Sequence, residues 1–197
     1  MTAHHAATVE GGTPYAGIGR GKFAMWLFLA SEVMFFTGLI GSYIVLRAGS
    51  LEWTDPSTRL NIPLTAFNTF VLICSSVTMV RALYKAQSGD QAGMKQNLIL
   101  TVLFGMFFLS VQMYEYNKLF HEGLTPWGDL FGSTFYTLTG FHGAHVTGGV
   151  IALWYLIIRA LRGDFSATRW EAIENVGLYW HFVDLVWILL FTIVYLI

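Results

Sequence analysis

The chain has 197 residues, of which 55% are hydrophobic and 12% charged. A soluble domain carries about 25% charged residues, so this composition belongs to a membrane protein. The formal net charge of -1, without a clustered Lys/Arg face, excludes a nucleic-acid partner, and the single cysteine, Cys74, excludes an internal disulfide or any multi-cysteine metal site.

Residues 1–21 (MTAHHAATVEGGTPYAGIGRG) are small, polar and Gly-rich, and they lack the apolar core and cleavage pattern of a secretory signal. They are expected to form a flexible tail in which His4 and His5 are solvated. From residue 22 onward the chain reads as one all-α integral-membrane domain, 22–197, with five spans of the roughly 20 apolar residues a crossing needs. The first, 23–46, carries Glu32 in LASEVMFF. The second, 62–83, carries Cys74, and the third, 98–119, has Gln112 and Glu115 one turn apart near its end.

The fourth span, 131–158, contains TGFHGAHVTGG. Gly140, Ala144 and Gly148 repeat every four residues, the small-residue pattern that lets two backbones approach, while His142, His145 and Gly149 lie on nearly the opposite side. This helix is therefore expected between two neighbours. The fifth, 176–197, places Gly177, His181, Asp184 and Ile188 on one stripe, flanked by Trp180 and Trp187. Between the spans lie EWTDPSTRLN, KAQSGDQAGMKQ, HEGLTPWGD and RGDFSATRWE, with breakers and charges suited to water-facing turns. Trp53, Trp127 and Trp170 in these loops fit an interfacial aromatic belt, and no internal repeat is visible.

Orientation follows from charge. Arg20, Lys22, Arg81, Lys85, Lys95, Arg159, Arg162 and Arg169 fall on the side of the tail, against Arg47, Arg59 and Lys118 on the other. The positive-inside rule puts the N-terminus in the cytoplasm and, after five crossings, the C-terminus outside.

A polar stripe inside a bilayer faces protein, water or a partner group, because charge near the membrane centre is costly. Rises of about 1.5 Å per residue put Glu32, His181 and Asp184 at similar depth in the cytoplasmic half, so a shared cluster is expected, with Glu32 ionised against a protonated His181 or else neutral. Gln112 and Glu115 either bond across to another helix or meet interfacial water. His142 and His145 have a spacing compatible with a metal, but neither a Cys nor a third His stands beside them, and hydrogen bonding is their expected role. No metal ligand set and no catalytic group is assigned.

GLYWHFVDLVWILLF, TGFHGAHVTGG, LASEVMFFTGL and the QMYEY segment, in this order-bearing set across residues 22–197, resemble subunit III of the haem–copper terminal oxidases in its short five-helix bacterial form. The resemblance implies a non-redox subunit of a respiratory cytochrome c oxidase in the bacterial cytoplasmic membrane. Haem and copper would be held by subunits I and II, with none on this chain. Glu32, His142, His145, Glu174, His181 and Asp184 would border bound phospholipid and the surface packed on subunit I, in support of proton uptake from the cytoplasm, and the oxidase could join a larger respiratory supercomplex. A subunit of a quinol oxidase and an accessory protein of nitric oxide reductase are alternatives within the superfamily; a stand-alone proton or ion transporter is one outside it. The two helices that begin longer family members are absent here.

Overall fold

The computed structural model describes residues 19–197, apart from the side chain of Ser57; the tail, with His4 and His5, lies outside the described residues. The elements are α1 (Arg20–Gly49), a short α2 (Pro56–Arg59), α3 (Ile62–Gln87), α4 (Gln91–His121), α5 (Leu130–Leu161) and α6 (Glu171–Leu190), which passes into a π-helical turn, Phe191–Leu196. Five of these helices are long and apolar enough to cross a membrane, so the expected five-helix membrane bundle is what forms. Helices are the solution because lipid offers the backbone no hydrogen bonds and each helix satisfies its own.

Each helix runs beyond its apolar window, because local capping rather than hydropathy decides where it stops. The side chains of Asn61, Asp90 and Asp129 accept from the backbone N–H groups of Leu64, Gly93 and Gly132 at 3.2, 2.9 and 2.7 Å, starting α3, α4 and α5. At the other ends, Gly89, Gly123 and Gly163 have φ of 78°, 87° and 78°. That left-handed turn lets the next residue's N–H reach back to the carbonyls of Lys85, Leu119 and Arg159 at 2.9, 3.0 and 3.1 Å. The segment KAQSGDQAGMKQ is therefore almost wholly helical, with only Ser88–Asp90 turning between α3 and α4.

The hub of the bundle is α6, which packs against α1, α3 and α5. Trp180 and Trp187 are wholly buried, and their indole N–H groups donate to the hydroxyls of Ser75 and Thr69 on α3 at 2.9 and 2.8 Å. The Trp180 ring is slotted between two glycines: a Cβ on Gly105 of α4 would stand 2.7 Å from its Cη2, and one on Gly149 of α5 would stand 2.7 Å from its Cε3.

α5 lies between α4 and α6 as expected, but within this chain its close packing does not use the four-residue repeat. Ala144 and Gly148 are exposed and Gly140 is half-buried; Cβ atoms added at Gly140 and Gly148 would meet nothing closer than 4.0 and 3.6 Å. The close approach of backbone to neighbour uses Gly149, on the histidine side, because a Trp needs the space there. α1 is the most loosely held span, burying only Leu29, Phe36 and Tyr43, a narrow stripe at seven-residue intervals.

Candidate functional site: polar ties within the membrane

Glu32 and His145 meet across α1 and α5, Oε2 to Nε2, at 3.0 Å. His145 Nδ1 lies 2.7 Å from the carbonyl of Phe141 one turn back; a carbonyl only accepts, so Nδ1 carries a hydrogen. A single further proton then bridges Nε2 and the carboxyl oxygen, giving either an ion pair or a neutral acid facing a neutral ring. The ring edge packs on Phe36, centroids 5.0 Å apart, and Tyr179 of α6 donates its hydroxyl to the His145 carbonyl at 2.9 Å. The partner of Glu32 is thus His145, not the expected His181. Similar depth did not suffice, since the Glu32 side of α1 turns toward α5.

His181 and Asp184 belong to a second group, on α3. Ser76 donates its hydroxyl to Asp184 Oδ2 and lies 2.9 Å from His181 Nδ1. Ser76 Oγ thus stands between the carboxyl of Asp184 and the ring nitrogen of His181 and links the two side chains. The residues expected as a stripe separate by burial: Gly177 packs on Met79, Asp184 is buried, and Ile188 faces outward.

His142 is fully buried. Its Nε2 lies 3.2 Å from the carbonyl of Val183 on α6, and its ring leans on Trp187 with centroids 4.7 Å apart. The two histidines of the fourth span therefore address different helices, His142 toward α6 and His145 toward α1, and do not jointly present a ligand pair. Glu174 forms an ion pair with Lys22 at 2.7 Å, tying α6 to α1 at the tail-side end of the bundle.

At the opposite end Glu115 is buried and bonds across the bundle. Its Oε1 accepts from Thr65 at 3.0 Å and its Oε2 from Tyr195 at 3.2 Å, joining α3, α4 and the π-helical turn. Gln112 donates to Tyr116 at 3.2 Å. Tyr116 in turn stands 2.6 Å from Thr139 Oγ1. Thr139 donates to the Phe135 carbonyl at 2.6 Å, so Tyr116 is the donor to Thr139, and a directed chain runs from α4 to α5. Of the loop tryptophans, Trp53 wedges between Tyr43 and Phe131 at 5.4 and 5.7 Å, while Trp127 is 77% exposed.

The hydroxyl partners Ser75, Ser76, Thr65, Thr69, Thr139, Tyr116 and Tyr195 escaped the sequence reading. The signal was present: small hydroxyls inside apolar runs, such as Ser75 and Ser76 in LICSSVTM, serve as interhelical donors when a neighbour offers an acceptor.

A family model described as cytochrome c oxidase subunit III matches residues 3–197. A probable cytochrome c oxidase subunit 3 of Mycobacterium leprae is 43% identical over 171 residues, covering 87% of this chain and 85% of that protein. A cytochrome c oxidase subunit 3 of Corynebacterium diphtheriae is 40% identical over 174 residues with the same coverage. A third, from Bacillus sp. strain PS3, is 34% identical over 190 residues, 96% of this chain and 88% of the relative.

Proposed function

The chain belongs to the cytochrome c oxidase subunit III family, and we propose that within the oxidase it is a supporting subunit with no redox centre of its own. One observation carries this role: the polar side chains inside the spans divide into separate interhelical ties, Glu32 with His145, Ser76 with His181 and Asp184, and Glu115 with Thr65 and Tyr195. Among the described residues they do not converge on one centre. Ties of this kind hold helices in register, each contributing about 0.6 kcal/mol.

In this reading the oxidase's haem and copper lie on subunits I and II, phospholipid fills the outer surface of the bundle, and the chain steadies the catalytic subunit while it takes up protons. The end bearing Arg20, Lys22, Arg81, Lys85, Lys95, Arg159, Arg162 and Arg169 faces the cytoplasm, and the protein resides in a bacterial cytoplasmic membrane. The names of the relatives favour cytochrome c over quinol as the electron donor of the complex.

The test is purification in mild detergent through a tag on this chain, followed by identification of the polypeptides and a visible spectrum. Haem-bearing partners and a dinuclear copper signal are expected. Recovery of this chain alone, without haem, would refute the proposal.

A further inference from the structure

α1 is joined to the bundle differently from the other spans. Only 11% of its apolar window is buried, against 39% in each of the other four, and it packs chiefly on α6 and α5. Its seam is the stripe Leu29, Phe36 and Tyr43; Gly38 and Gly41 face open space, and Ser31 and Ser42 bond back to carbonyls of α1 itself. Lipid tails are as apolar as the side chains they meet, so burial alone does not drive one helix onto another in a bilayer, and packing and hydrogen bonds decide how firmly it is held. A seam this narrow leaves the hold to a few ties.

Those ties are unequal along the helix. At the far end, away from the tail, Tyr43 is wholly buried and packs on Trp53, which is itself wedged against Phe131, and Arg47 donates to the carbonyl of Ile197. The short connection to α2 fixes the same end covalently. Midway stands Glu32 with His145. At the tail-side end the tie is the Lys22–Glu174 ion pair, whose side chains are 37% and 21% exposed, and a cavity of about 180 Å3 lined by Gly19, Lys22, Trp170, Glu171, Glu174 and Asn175 borders it. Water and salt reach this pair, and a partly exposed ion pair is weak and screened.

We propose that α1 is a strap that pivots about its far end, at Tyr43 and Trp53, and whose tail-side half swings away from α5 and α6. The Lys22–Glu174 pair is its latch, and the Glu32 bond to His145 is a second catch that parts in the same motion. Swinging uncovers the ring of Tyr179, which Phe28 covers with centroids 6.0 Å apart, and with it the carboxyl and imidazole of the catch. Because the latch lies in the aqueous phase, the ionic strength on that side sets the open population. The inference depends on neither the cytoplasmic orientation nor the identity of partner subunits.

The test places nitroxide amino acids at exposed positions of the complex purified through a tag on this chain. Trp26 with Ile151 spans α1 and α5 on the tail side, and Leu46 with Leu130, which share one groove, spans them at the far end. Double electron–electron resonance is expected to give two distances for the first pair and one for the second. Lys22→Gln, or salt at about 1 M, should raise the longer-distance fraction about threefold, which is within what a partly exposed ion pair supplies, and Glu32→Leu should raise it further. The exchange of Lys22→Glu with Glu174→Lys should bring it back toward the parent value, which a folding defect would not. Arg81→Gln, which removes a tail-side cation of α3 outside the latch, should change nothing. A single narrow distance between Trp26 and Ile151 in both Lys22→Gln and Glu32→Leu would overturn the strap, and equal broadening of the two pairs would overturn the pivot. An effect of Arg81→Gln as large as that of Lys22→Gln would overturn the latch.

Discussion

Glu32 and His145, 113 residues apart in sequence, close a 3.0 Å hydrogen bond that ties α1 to α5. α1 buries only three side chains, so this polar tie weighs more there than it would on a well-embedded helix. Glu32→Leu is expected to destabilise the chain by about 1 kcal/mol, since it leaves His145 Nε2 unpartnered, whereas Glu32→Gln keeps a hydrogen bond and most of the stability. Unfolding by added SDS from mixed micelles measures both. Equal losses in the two variants would show that charge rather than hydrogen bonding holds the pair.

The slot around Trp180 makes a sharper contrast. Gly149→Ala and Gly105→Ala each drive a methyl group to 2.7 Å from the indole, and each is expected to destabilise the bundle by about 1–3 kcal/mol, as overpacking does. Gly140→Ala and Gly148→Ala, where the nearest atoms stand at 4.0 and 3.6 Å, should leave the fold of the isolated chain within about 0.5 kcal/mol of the parent. The same unfolding titration decides it, and a reversed order would mean that α5 packs through its other face.

These two cases mark what the sequence could and could not reveal. The five spans were legible because a crossing helix must be long and apolar, and their polar residues were legible as exceptions within those runs. Which pairs form was not: Glu32 and His181 share a depth, but the rotation of α1 toward α5 is set by packing of Leu29, Phe36 and Tyr43, information spread over several helices. The four-residue repeat of Gly140, Ala144 and Gly148 suggested a contact surface, yet the ring that needs room, Trp180, lies against Gly149 instead. The start of α4 was missed for a simpler reason, since the helix begins at its Asp90 cap, well before the apolar run that starts at residue 98.

Glu115 anchors the far end of the chain. Tyr195→Phe removes the donor to Oε2 and Thr65→Val the donor to Oε1, and each is expected to cost about 1 kcal/mol, with the double variant less than additive because both act on one carboxyl. Glu115→Leu should free the π-helical turn Phe191–Leu196. Hydrogen exchange of its amides would rise; unchanged protection there would show that apolar packing alone holds the segment.

At the turn between α3 and α4, Asp90 is held below its ordinary value of 3.8, first by the Gly93 N–H and then by the Lys85 ammonium 2.9 Å away. A carboxyl whose folded pKa is depressed stabilises the fold above its unfolded pKa and loses that contribution as pH falls through the folded one. Protection of the Gly93 amide, corrected for the intrinsic exchange rate, should therefore be constant above about pH 5 and decline below about pH 4. In Asp90→Ala that decline should vanish along with the cap. A pH-independent protection in the parent chain would contradict the role given to Asp90.

The most direct test of a supporting, non-redox role is to strip this chain from the purified oxidase and compare metals and spectra before and after. The account predicts unchanged haem and copper per catalytic subunit, with lower stability during turnover. Loss of haem or copper in step with the departing chain would contradict it.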